Sequence, residues 1–279
     1  MIVAGFILLA VGAADLVRQF APRRWVGYLS VAVILLLLGS VSDALLPMAL
    51  AIVVGALWVW CMPTERPAPL GFWPAVLLAV VSVGAVVGLG ARADAGLIGA
   101  IWQLRSPFGE VTFDLALLAF GAGVFLLESS NLVVRAALDG EHTWLPADPA
   151  ARASTRAVAV AEVPVAAEEV DGVSDVAAEE DAVAASMTAP ATEPRDPRGG
   201  FKGGRLIGPL ERILVLILTL AAAYPILAAM LAAKGIVRFP EISRDGETGA
   251  RAEYFLVGSL VSWVIALGAA FLVWWAAHS

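Results

Sequence analysis

From Ile213 to Ala233 the chain reads ILVLILTLAAAYPILAAMLAA, 21 residues without a charge. At about 1.5 Å per residue, an unbroken helix of that length spans the roughly 30 Å hydrocarbon core of a bilayer. Apolar side chains surround it, so it has no polar face to turn toward water. A second block, WVGYLSVAVILLLLGS from Trp25, repeats the pattern. Such blocks predict an all-α fold, a polytopic transmembrane helical bundle. Composition agrees: 60% of the residues are hydrophobic and 15% charged, against roughly 45–50% and 25% in soluble chains.

The hydrophobic blocks predict about seven spans. They run from Ile2 to Val17, Trp25 to Val41, Ala44 to Met62, Phe72 to Gly90, Phe113 to Val134, Leu206 to Ala233 and Tyr254 to Ala277. The first lacks the basic leader and small-x-small cleavage site of a signal peptide, so it reads as a retained helix. Gly96 to Leu104 is apolar but too short to cross, which suggests an interfacial or re-entrant segment. Within the sixth block, Tyr224-Pro225 removes a helix hydrogen bond and predicts a kink.

Three regions follow: a five-span region at 1–138, a linker at 139–204 and a two-span region at 205–279. The linker carries 13 Asp or Glu against 5 Lys or Arg, so the chain's net charge of -7 belongs to it. From Ala147 to Thr192 it has no aromatic residue. Such a segment buries too little apolar surface to offset ordering and is expected to be disordered. No basic stripe with interleaved aromatics occurs, so nucleic acid is not an expected partner. The single cysteine, Cys61, excludes an intramolecular disulfide.

Orientation is argued from cations, which are enriched on the cytoplasmic side of bilayers. With the N-terminus outside, the predicted cytoplasmic segments hold Arg18, Arg23, Arg24, Arg66, Arg135, Arg195, Arg198, Lys202 and Arg205. The predicted external ones hold Arg92, Arg105, Lys234, Arg238, Arg244 and Arg251. The count favours a cytoplasmic linker and C-terminus, although the last external loop is unexpectedly basic. Trp25, Trp58, Trp60, Trp73, Trp144, Trp274 and Trp275 fall at predicted cytoplasmic ends, as interfacial anchors do. Arg outnumbers Lys sixteen to two amid abundant Ala and Val, the coding habit of a GC-rich genome, which suggests a bacterial cell (inner) membrane.

Ionisable groups near spans mark candidate sites, because each costs roughly 2.5–3.5 kcal/mol at a helix centre and demands a partner. Glu128, Asn131 and Arg135 lie three and four residues apart, on one helical face. Glu211 and Arg212 open the next span across the linker, so the pairs Glu128–Arg212 and Arg135–Glu211 are expected to lock the two helices together. Lys234, Arg238 and Glu253 are candidate external anchors or ligand contacts. Asp15 and Asp43 are weaker candidates for a proton relay. Gly84 with Gly88, and Gly258 with Ser262, are small-xxx-small pairs suited to close helix packing.

The stretch GRLIGPLERILVLILTLAAAYPILAAMLAAKGIVRFPEI from Gly204, with AEYFLVGSLVSWVIA from Ala252 and ESSNLVVRAAL from Glu128, resembles part of a family of uncharacterised bacterial polytopic membrane proteins. Some members carry an N-terminal DUF3307 domain, whose His-x-x-x-Asp-Phe element is absent from this chain. The resemblance implies a shared architecture and no mechanism. Neither GxSxG nor HExxH occurs, and no cofactor, metal or catalytic residue is expected. The leading expectation is an interaction or assembly protein, with the bilayer and other membrane or cytoplasmic proteins as partners. The alternative is a small-solute transporter or channel.

Overall fold

The computed structural model describes residues 1–62, 71–90, 92, 95–106, 109–140, 204–243 and 250–279. At 100, 106, 139–140, 204–205, 238–243 and 250–254 it describes the backbone alone. All but residues 139, 140 and 204 of the 139–204 linker therefore lies outside the described residues, as do the side chains of Arg238 and Glu253. Met1–Trp144 and Gly204–Ser279 belong to one compact unit.

The described residues are mostly helical. In order it forms α1 (Ile2–Phe20), α2 (Arg24–Val41), α3 (Leu45–Cys61), α4 (Trp73–Leu89), α5 (Gly96–Ile101), β1 (Leu104–Ser106), β2 (Gly109–Val111), α6 (Phe113–Leu127), α7 (Ser129–Gly140), α8 (Gly204–Leu220), α9 (Tyr224–Ser243) and α10 (Ala250–His278). The first four match their hydrophobic blocks to within a few residues. The antiparallel β1–β2 hairpin, pairing Leu104 with Val111 and Arg105 with Glu110, is an addition to the all-α expectation.

Seven uninterrupted spans are not what these sequences form. Among the described residues, Ile2–Phe20, Arg24–Val41 and Phe255–His278 are long and apolar enough to cross a membrane. The pair α6–α7, bent by 50°, makes a fourth if taken as one span. Leu45–Cys61, Trp73–Leu89 and Tyr224–Val237 are apolar but shorter. The predicted fifth span breaks at Glu128, whose backbone (φ -127, ψ -42) leaves the helical region.

The predicted sixth span is two helices, not one kinked one. α8 stops at Leu220, and the chain turns through Ala222 at φ 54. Pro225 then stands in the first turn of α9, where its missing N–H is no loss. Glu211 on α8 meets Lys234 on α9, about as far before the turn as Lys234 lies after it. Such pairing requires an antiparallel hairpin.

α1 is the central helix, and most of it from Ile2 to Asp15 is buried. Glycines allow it to approach α6 closely. A Cβ on Gly12 would lie 2.7 Å from the Phe125 amide nitrogen, and one on Gly121 would lie 2.6 Å from the Gly5 carbonyl. Gly5 faces Leu118 and Gly12 faces Phe125, so α1 and α6 run in the same direction. α2 by contrast exposes most of its apolar surface, including Leu29, Ile34 and Leu37.

Two small-residue pairs behave differently. Gly258 on α10 packs against Val134 and Leu138 of α7, and its partner Ser262 is buried, so that pair serves packing. Among the described residues, nothing lies within 4 Å of a Cβ added at Gly84 or Gly88, and the packing role expected for them is not seen there.

Candidate functional site

Among the described residues, three clusters hold the main buried charges, and the parallel run of α1 and α6 orders them. At the end where both helices start, the Arg92 guanidinium grips Asp114 with two hydrogen bonds, Nε to Oδ2 at 3.1 Å and Nη2 to Oδ1 at 2.9 Å. Its Nη1 also donates to the Ser42 and Asp43 carbonyls, at 3.1 and 3.3 Å. One side chain thus ties the first turn of α6 to the turn between α2 and α3. Asp43 adopts φ 50 in that turn, and its side chain is exposed, so it serves the turn rather than a relay. Thr112 caps α6 by accepting from the Leu115 amide at 3.3 Å, which sets Asp114 in the positive first turn.

Toward the opposite end, Asp15 is 1% exposed. Its carboxylate accepts from Trp58 Nε1 at 2.8 Å and from Arg18 Nη1 at 3.0 Å. Arg18 also donates to the Met62 carbonyl at 2.8 Å, satisfying the end of α3. Ser129 stands beside Asp15, yet its buried hydroxyl makes no hydrogen bond of good geometry. Trp58 is therefore a buried partner of Asp15, not the interfacial anchor expected of it.

The third cluster joins the two halves of the chain at the α6–α7 break. Arg212, 3% exposed, donates through Nε to the Leu126 carbonyl at 3.0 Å, through Nη1 to Ser262 Oγ at 3.4 Å and through Nη2 to Asn131 Oδ1 at 2.5 Å. Breaking the helix at Glu128 frees the Leu126 carbonyl for this bond. Asn131 Nδ2 in turn donates to Glu128 Oε2 at 3.2 Å. The expected Glu128–Arg212 contact is thus relayed by Asn131.

Glu211 does not meet Arg135. It accepts from Lys234 Nζ at 2.7 Å on both oxygens and from Trp263 Nε1 at 2.8 Å. Lys234 further lies 5.5 Å from the centroid of Trp263 and 5.8 Å from that of Phe255. Its ammonium is thus engaged within the bundle by Glu211. Arg238 lies four residues further along α9, and Glu253 near the start of α10.

Sequence reasoning found Glu128, Asn131, Glu211 and Arg212 but passed over Arg92, Asp114, Trp263 and the Asp15–Trp58 bond. Asp114 had a local signal, an acid two residues after a capping threonine. Arg92 had none, because its partners lie 22 and about 50 residues away.

Two cavities adjoin at the Arg92 end. One of about 810 Å³ includes Arg92, Arg105, Glu110 and Asp114 in its lining. The other, of about 590 Å³, lies among α1, α2 and α6 and is wholly apolar. Trp102 and Phe113 line both.

No protein-family model, curated protein or solved structure matches the chain.

Proposed function

We propose that the chain is an integral protein of a bacterial cell membrane that acts in interaction or assembly, holding partners through its acidic linker. The reading rests on how the bundle uses its polar groups. Asp15, Asp114, Glu211, Arg212 and Lys234 are each bonded to fixed partners inside it. The larger cavity borders the Arg92–Asp114 pair at one end, and neither cavity is lined by Asp15, Glu211, Arg212 or Lys234. Groups so engaged hold helices together at a depth where an unmatched charge is costly.

The α8–α9 hairpin revises the topology. α8 runs antiparallel to α6, since Gly208 faces Asn131 and Ile213 faces Gly123. α10 runs antiparallel to α7, since Gly258 faces Leu138 and Val134 while Ser262 shares Arg212 with Asn131, and it therefore runs with α8. Crossings by α1, α2, α3, α4, α6–α7 and α10, with the hairpin returning to the linker side, bring the C-terminus back to the side of Met1. Of the 18 Lys and Arg residues, this leaves Arg92 and Arg105 at the Met1 end, and the rest toward the other end or in segments that start and finish there. The basic loop that fitted poorly outside now falls on the linker side. That bias supports a cytoplasmic linker side with both termini external. α5, with Leu97 and Ile101 exposed beside the α2–α3 turn, then suits an interfacial position.

The transporter reading has one observation in its favour, the helix break at Glu128 beside the unbonded Ser129 hydroxyl. Cross-linking in intact membranes followed by purification separates the two. Assembly predicts a discrete partner set that disappears when residues 145–203 are deleted. Solute flux in proteoliposomes that is abolished by Glu211→Gln, with no linker-dependent partner, would establish the alternative.

A further inference from the structure

The two adjoining cavities have opposite characters and a common wall. The apolar groove includes Leu9, Ala13, Ile34, Ala116, Phe120 and Val124 in its lining. Along α6 it extends from Phe113 to Val124, eleven residues or roughly 16 Å. That is close to the depth of one leaflet, half of the roughly 30 Å hydrocarbon core. Its volume of about 590 Å³ is within the range of small-molecule sites, roughly 300–1,000 Å³.

The polar cavity begins where the groove ends, across Trp102 and Phe113. Trp102 is fixed there by a hydrogen bond from Nε1 to the Val111 carbonyl at 2.8 Å and by an edge contact with Phe113 at 5.4 Å. Arg92 and Asp114 satisfy each other at 2.9 Å. Arg105 and Glu110 are different. They pair across the hairpin at 3.6 Å with side chains 81% and 83% exposed, a contact weak enough to exchange for a ligand.

We propose that the two cavities form one binding site for a phospholipid with a zwitterionic phosphoethanolamine headgroup, drawn from the outer leaflet. Arg105 binds the phosphate, Glu110 binds the ammonium, and one acyl chain fills the groove against α1, α2 and α6. The four charges named cancel, which favours a zwitterionic headgroup over an anionic one. An arginine suits phosphate because its planar donors match the oxygens. This site rests on the membrane embedding proposed above.

The test uses the full chain in vesicles of phosphatidylethanolamine and phosphatidylglycerol, with a trace of phosphatidylethanolamine bearing a photoreactive group midway along an acyl chain. After illumination, labelled residues are mapped by mass spectrometry. Carbonate resistance of the protein in the vesicles checks embedding separately, so its failure is distinguishable from failure of the site. The expected result is labelling concentrated on groove residues, competed by unlabelled phosphatidylethanolamine better than by phosphatidylglycerol. Ala116→Trp, which fills the groove, should lower it about tenfold, and Arg105→Gln about threefold. Ala13→Phe fills the same space from α1, so agreement between the two filling variants excludes a local folding defect. Labelling spread evenly over α2, α3 and α4 and unchanged in both filling variants would overturn the site, leaving ordinary surrounding lipid. Equal competition by phosphatidylglycerol would overturn the headgroup assignment.

Discussion

Lys234 meets Glu211 at 2.7 Å although 23 residues separate them, and that contact fixes α8 and α9 as a hairpin. Both groups are largely buried, with side chains 25% and 13% exposed. Glu211→Gln should lower stability by about 1–3 kcal/mol, since it leaves the ammonium facing a neutral amide between two aromatic rings. Lys234→Met should do the same. Their effects should be strongly non-additive in thermal unfolding of the detergent-solubilised protein, and simple additivity would contradict the pairing.

Arg92 is a fork that a single ammonium cannot replace. Arg92→Lys keeps the charge but loses the paired hydrogen bonds to Asp114 and the shared contacts with the Ser42 and Asp43 carbonyls. A loss of about 1–3 kcal/mol is expected. Proteolysis should show it first in the segment of α5, β1 and β2, next to the α2–α3 turn that Arg92 holds.

The glycines of the α1–α6 contact should be far less replaceable than those of α4. Gly121→Ala places a methyl group 2.6 Å from a backbone carbonyl, which requires the helices to separate and should cost about 1–3 kcal/mol. Gly88→Ala meets nothing within 4 Å and should be neutral or slightly stabilising, because alanine favours the helix. Thermal unfolding of the two variants side by side checks the contrast.

Much of the helical architecture was legible. The blocks ending at Val41, Met62 and Gly90 have charges, prolines or glycines at their ends, and these punctuate hydrophobic runs reliably. The α8–α9 turn was hidden because Ala221, Ala222 and Ala223 carry no turn signal, and Pro225 reads equally as a kink or as the opening of a new helix. The site was legible as residues but not as partners. Glu211 and Arg212 stood out as charges inside an apolar run, yet Asn131 and Ser262 lie 81 and 50 residues from Arg212. Helical spacing can align groups on one face, but it cannot choose among faces of distant helices.

The hairpin and the topology it imposes are tested most directly by placing single cysteines on a Cys61→Ala background. Ser279→Cys and a linker cysteine such as Ser174→Cys are each treated in intact cells with a membrane-impermeant maleimide. The prediction is labelling of Ser279→Cys without lysis and of Ser174→Cys only after lysis. Protection of both positions in intact cells would place the C-terminus with the linker and contradict the hairpin.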